Sequence, residues 1–259
     1  MTGIPRDPWA ILGAWTPARI AIGRAGASLP TREVLSFALA HAQACDAVHA
    51  RLDRTEMARQ LDSLGLVSVE IKSRAADRVT YLRRPDLGRL LDASSRERLK
   101  TKRDGTCDLA LMIGDGLSAT AVTANAPALL DALLHHVRKL DLRLGPIVIA
   151  EGARVALGDE VGELLGARLV AVLIGERPGL SAADSLSVYL TYAPRSGRSD
   201  AERNCISNIR TGGLAPTAAA ANLAWLIEAA LLKQLTGVGL KDRSAVGLGS
   251  SKTMAGPNE

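Results

Sequence analysis

The hydrophobic pattern of this chain changes character near residue 105. Downstream, four continuous apolar runs stand out, at 109–113, 147–150, 169–174 and 186–192. Helical patterns separate the first three, one over 126–140 that begins near Asn125 and Pro127, and one over 158–165. Unbroken apolar runs suit strands buried on both faces. Their alternation with helices predicts an α/β fold, a parallel sheet with flanking helices. Each run ends in a loop carrying Gly or Pro: GDG at 114–116, EG at 151–152, GERPG at 175–179 and PRSG at 194–197. Loops at the carboxyl ends of parallel strands are where such sheets bind ligands.

Upstream, the pattern is mostly helical and charged. Residues 1–30 hold Pro5, Pro8, Pro17, Pro30, Gly13, Gly23 and Gly26, and read as an arm rather than a helix. Thr31 reads as an N-cap for a helix over 31–50, in which Leu35, Leu39 and Ala42 fall at helical spacing. A second helix over 54–64 is closed by Gly65, a short strand follows at 67–71, and a third helix covers 86–100. Near the other end, 216–235 form a strongly apolar helix with Pro216 in its first turn and Gly237 just past its end. The tail, 243–259, is small and polar and predicts disorder. The expected division is an N-terminal arm (1–30), a mainly helical region (31–105), a sheet domain (106–242) and the tail.

Composition narrows the function classes. The net charge of +5, from 32 basic and 27 acidic residues, is interspersed, and aromatics are 3% of the chain. Scarce stacking surface argues against nucleic acid, and the basic run RERLKTKR at 96–103 reads as a solvated helix face. Cys45, Cys107 and Cys205 form neither a disulfide framework nor a CxxC pair, which points to a reducing cytoplasm. The apolar stretches fall short of the roughly 20 residues that span a bilayer, and the N-terminus lacks a secretory pattern.

Three strand-end segments are candidates for chemistry. In IGDGLSA at 113–119, free N–H groups could hold a phosphate or an amide, and a tight strand-to-helix turn explains the segment equally well. It is neither GxGxxG nor a phosphate loop. In GERPGL at 175–180, Glu176 can accept hydrogen bonds from amide donors; the plainer reading is a surface pair with Arg177 worth little. In DAERNCISNIR at 200–210, Cys205 could serve as a nucleophile only with a histidine close in space, and a small half-buried thiol accounts for it without catalysis. His41 and His49, eight apart, and the adjacent His135 and His136 give no metal-binding pattern.

Taken in order, a set of segments resembles the small (light) subunits of ethanolamine ammonia-lyases: TPARIAIGR at 16–24, SLPTR at 28–32, HAQACDAVH at 41–49, DGLSA at 115–119, GERPGL at 175–180, ERNCISNI at 202–209 and TGVGLKD at 236–242. Each string is weak alone, but their order and spacing are specific over about 16–242. The resemblance implies a lyase subunit that is inactive by itself. Enzymes of that family convert ethanolamine to acetaldehyde and ammonia with adenosylcobalamin, whose cobalt–carbon bond breaks homolytically. It further implies a large barrel subunit that binds ethanolamine and carries the catalytic groups. The small subunit contributes a Rossmann-like sheet that completes the cobalamin site at the subunit interface.

The family's cobalamin contacts match Val155, Glu176 and Cys205 here, and the resemblance implies no catalytic residue and no metal ligand in this chain. The D-x-H-x-x-G pattern that replaces the cofactor's own base is absent, so base-on cobalamin is implied. Some members carry an N-terminal amphipathic helix that targets a bacterial microcompartment; Pro5, Pro8 and Gly13 argue against one in residues 1–15. The competing readings are a non-catalytic Rossmann-like ligand-binding or scaffold module, and a stand-alone hydrolase using Cys205.

Overall fold

A computed structural model describes residues 7–242; the predicted tail and the first six residues of the predicted arm lie outside the described residues. The N-terminal part contains α1 (Thr31–His49), α2 (Arg54–Ser63), β1 (Ser68–Lys72), α3 (Arg78–Arg83) and α4 (Ala93–Thr101). Then come β2 (Cys107–Gly114), α5 (Ala119–Lys139), β3 (Leu144–Glu151), α6 (Leu157–Leu165) and β4 (Ala167–Gly175). The chain closes with β5 (Leu186–Tyr192), β6 (Arg203–Ile209) and α7 (Pro216–Lys233).

The six strands form one sheet in the order β1-β3-β2-β4-β5-β6. The first four run parallel, as the alternating pattern predicts, whereas β5 and β6 are antiparallel to their neighbours. The connection over 176–185 explains the reversal, because it is too short for the crossover helix that a parallel return requires. Alternate residues of each strand feed two cores. On one face Leu109, Leu111 and Ile113 of β2 pack with Val188 and Ile206 beneath α2, α5 and α7. On the other, Ala110 and Met112 pack with Val148, Val170 and Val172 beneath α4 and α6.

Several boundaries differ from the sequence expectation. Thr31 is the first residue of α1 rather than its cap, which is Pro30. The arm contains a 3-10 helix, Pro8–Ala14, started by Asp7 accepting from Trp9 N–H at 2.9 Å. The helix expected over 86–100 is a 3-10 turn, Leu87–Arg89, followed by α4, because Asp92 accepts from Ser95 N–H and starts a new helix there. The short α3, capped by Asp77, was not anticipated. Helix α5 begins well before Pro127: Ser118 caps it, and Pro127 sits inside it. No helix among the described residues is long and apolar enough to cross a membrane.

Helix α1 is unlike the rest. Only Ala47 of its nineteen residues is buried. Val34, Leu35, Phe37 and Leu39 are exposed along it, as are Trp9, Ile11 and Trp15 in the arm.

Candidate functional site

The carboxyl ends of β2, β3 and β4 lie side by side, and their loops build one rim. β2 is central, so the turn after it touches both neighbours. Asp115 follows β2 directly and is buried. Its carboxylate accepts from the N–H groups of Gly116 (2.9 Å), Gly152 (3.0 Å) and Ala153 (2.9 Å). On the opposite side, Leu117 N–H donates to Gly175 O at 3.0 Å. Gly116 has φ +58°, and a Cβ there would overlap the Gly175 carbonyl; a Cβ on Gly175 would overlap Ser118 O. Glycine is required at both positions so that these two backbones can meet.

Within IGDGLSA the N–H groups of Asp115, Gly116 and Leu117 are engaged inside the protein, on Ala150 O, the Asp115 carboxylate and Gly175 O. The segment forms a tight strand-to-helix turn, with Ser118 capping α5. Burial pushes the Asp115 carboxyl above the usual carboxylate range, against the pull of its N–H donors and of Arg78.

A groove of about 380 Å³ opens along this rim, lined by Tyr81, Gly116, Leu117, Arg154, Val155, Ile174, Gly175, Glu176, Arg177 and Tyr189. Val155 lies half-buried in the turn between β3 and α6. Glu176 is the first residue after β4. Its carboxylate accepts from Ser185 Oγ at 2.6 Å and from Ser187 Oγ, so its partners are two serines rather than Arg177. Each carboxylate oxygen keeps a further lone pair for an outside donor.

Cys205 is not in a loop, as the sequence suggested, but on β6, directly opposite Tyr189 of β5. Tyr189 and Ser187 are its polar neighbours, and the Glu176 charge acts on it. Val155 and Glu176 thus line the groove, and Cys205 lies beside the groove residue Tyr189, further along the sheet. Helix α6 packs on β2 and β4 on this face, and α7 covers β5 and β6 on the other. Cys205 and Ser207 stand exposed on β6.

Although exposed, the Cys205 thiol is crowded by its neighbours. Desolvation raises its pKa above the ordinary value, the Tyr189 and Ser187 hydroxyls oppose this, and Glu176 adds to it. Desolvation, with Cys205 next, pushes the Tyr189 phenol up to about 12. A thiol held in its neutral form is a poor nucleophile. The four histidines lie on α1 and α5, and Cys205's hydroxyl neighbours cannot take the base's role. The hydrolase reading has no support in this geometry.

A second cluster ties the helical segment to the rim. Tyr81 of α3 is buried, its hydroxyl donates to Ala153 O at 3.0 Å, and the guanidinium groups of Arg78 and Arg154 lie 4.8 and 4.2 Å from its ring centre. Arg78 donates to Val48 O and Gly116 O, both at 2.7 Å, and sits 3.7 Å from Asp115. Burial pushes the Tyr81 phenol well above its ordinary value.

Sequence reasoning passed over Asp115, Tyr81, Tyr189 and the two serines. Asp115 had a signal, a carboxylate between two glycines at a strand end, but the segment was read for its N–H groups. The serines show only as an alternation at the start of β5, and Tyr81 shows no local signal at all.

Comparison with known proteins gives the family. The family described as ethanolamine ammonia-lyase light chain (EutC) matches residues 6–241. The chain is 56% identical over 243 residues to the ethanolamine ammonia-lyase small subunit of Bradyrhizobium diazoefficiens, covering 93% of each chain. It is also 56% identical to the small subunit of Rhodopseudomonas palustris, covering 88% of each. With the small subunit of Xanthomonas campestris pv. campestris it shares 53% over 93% of this chain and 89% of the relative. Matches of this extent take in the arm, α1 and every strand of the rim, and the chain belongs to the ethanolamine ammonia-lyase small-subunit (light-chain) family.

Proposed function

We propose that this chain is the small subunit of an adenosylcobalamin-dependent ethanolamine ammonia-lyase. In this reading it completes the cobalamin site where it meets a large catalytic subunit. The observation that carries the proposal is that Val155 and Glu176 line one groove at the carboxyl ends of β3 and β4, with Cys205 beside the groove residue Tyr189, further along the sheet. Family relationship supports the lyase; this placement supports the cofactor.

The groove suits the edge of a corrin rather than the whole cofactor. Corrin edges carry amide side chains, which donate and accept. Glu176, fixed by Ser185 and Ser187, offers acceptor positions to amide N–H groups. Val155 offers apolar contact, and the exposed strand carrying Cys205 and Ser207 offers a flat floor beside the groove. When bound, the cofactor would supply the radical chemistry. This chain's residues hold and orient the corrin's edge and shield that side from water, the usual division between cofactor and protein. Nothing in the rim acts as an acid, a base or a nucleophile on ethanolamine, which the large subunit binds.

The exposed apolar side chains of the arm and α1 support a partner surface, since Trp9 and Trp15 are 68% and 85% exposed. Exposed tryptophans with aliphatic neighbours are the composition of protein interfaces. The same reading puts the complex in the cytoplasm, free or enclosed in a bacterial microcompartment.

The test is co-expression with an ethanolamine ammonia-lyase large subunit, followed by addition of adenosylcobalamin and ethanolamine and an assay for acetaldehyde. The proposal expects product from the pair and none from either subunit alone. A folded pair that binds cobalamin but yields no acetaldehyde would move the substrate to another amino alcohol. Failure of the pair to bind cobalamin would leave the Rossmann-like scaffold reading.

A further inference from the structure

We propose that Asp115 is a positioning residue for the cofactor-facing rim, setting the spacing between Val155 and Glu176 without touching the cofactor itself. The inference rests on the reading of the rim given above. Its basis is the place of β2 at the middle of the sheet. Asp115, one residue past β2, reaches sideways to the N–H groups of Gly152 and Ala153, two residues before Val155. The same turn grips the other side through Leu117 N–H on Gly175 O, one residue before Glu176. Both proposed contact residues are therefore referenced to a single four-residue turn.

The two sides are held differently. Toward Glu176, the contact is backbone on backbone, with glycines allowing no slack. Toward Val155, the link from the turn to the 152–155 loop is the Asp115 carboxylate on Gly152 and Ala153; the backbone adds Asp115 N–H on Ala150 O at 3.3 Å, still within β3. Arg78 stands 3.7 Å from that carboxylate, and Tyr81 holds Ala153 O from the far side, so the 152–155 loop is gripped from both directions.

Asparagine at 115 keeps the size but replaces one acceptor oxygen with a donor NH₂, which must face a backbone N–H. One end of the brace opens, and Val155 is freed relative to Glu176. Asp108 makes a matched control at the opposite end of the same strand. Its side chain is 14% exposed against 11% for Asp115, and it likewise accepts from a backbone N–H, that of Arg143, and lies beside an arginine, Arg168.

The experiment compares Asp115→Asn with Asp108→Asn in the assembled two-subunit complex. It measures adenosylcobalamin Kd by absorbance titration, thermal midpoint, and amide exchange at Gly152 and Ala153. Asp115→Asn is expected to weaken cofactor binding roughly 10–100-fold, the scale seen when a supporting shell around a ligand is removed, and to speed exchange at 152–153. Asp108→Asn is expected to lower the midpoint while leaving the Kd unchanged. If Asp115→Asn does not assemble, Asp115→Glu, which keeps the charge but displaces the carboxylate, is expected to show the same loss of affinity. Wild-type affinity in an assembled Asp115 variant, or equal loss in both Asn variants, overturns the positioning role alone. A wild-type complex that binds no cobalamin withdraws the reading of the rim and this role with it.

Discussion

The sheet and the N-terminal segment answer the same question, where to put apolar side chains, in opposite ways. In the sheet, two buried cores take up the hydrophobic residues of every strand, and even charged groups are paired inside. Arg203 and Asp159, 2% and 1% exposed, meet through two hydrogen bonds of 2.5 and 2.7 Å. In the arm and α1, Trp9, Trp15, Leu35 and Phe37 remain in water, and a nineteen-residue helix buries one alanine. A helix of that length is marginal without packing. The difference separates what the chain stabilises by itself from what it offers to a partner.

The sharpest way to break the comparison is at the buried pair. Asp159→Asn leaves the buried Arg203 guanidinium with only the exposed Asp200 carboxylate, at 3.4 Å, as a counter-charge and is expected to cost about 3 kcal/mol, measured by urea unfolding. A smaller loss would mean that the sheet core is wetter than described. Leu133→Ala, at a fully buried position of α5, is expected to cost about 2–5 kcal/mol. Leu35→Ala, at a site 64% exposed on α1, should change the isolated subunit by no more than about 0.5 kcal/mol. Equal losses at the two leucines would erase the distinction between the regions.

Leu35→Asp with Phe37→Asp sharpens it from the other side. The isolated subunit should unfold as the wild type does, but recovery of the large subunit in a co-purification should fall sharply. Undiminished recovery would remove α1 from the interface.

The smallest effect is a pH dependence at the surface. The Ser199 backbone N–H, then the Arg198 guanidinium, pull the Glu202 carboxyl from 4.5 to about 2. Its folded pKa lies below the unfolded value, so its contribution is present above about 4.5 and is lost as pH falls toward 2. The midpoint difference between wild type and Glu202→Gln should shrink across that window and stay flat above it. A difference that persists at the acid end contradicts the assignment.

What could be read in the sequence follows from where the information sits. The apolar runs of β2, β3 and β4 are legible because a strand covered on both faces must be apolar throughout, and β5 shows through Leu186, Val188 and Leu190 at alternate positions. β6 was missed because it has one covered face: Ile206 and Ile209 are buried, and the polar residues between them read as a loop. Helix α5 was started late because Pro127 reads as a first-turn residue, while the real start is the Ser118 cap.

At the site, Glu176 was visible as a charge in a Gly/Pro loop at a strand end. Cys205 stood out locally as a thiol in a polar segment, but its cofactor role, like Val155 altogether, came from family likeness. Asp115 depends on hydrogen bonds between loops far apart in sequence, and Tyr81 on packing from a helix that local pattern did not reveal. Pairing across separate loops is the information a one-dimensional pattern lacks.

The central claim is that this rim forms part of a cobalamin site. It is tested most directly by titrating adenosylcobalamin into the assembled complex carrying Glu176→Ala. Glu176 accepts from the buried Ser185 and Ser187 hydroxyls, so the isolated subunit should lose about 1–3 kcal/mol but stay folded, while cofactor affinity in the assembled complex falls by about tenfold or more, the loss of roughly one charge-assisted hydrogen bond. Unchanged affinity in a folded, assembled complex would contradict the account and take Glu176 out of the site.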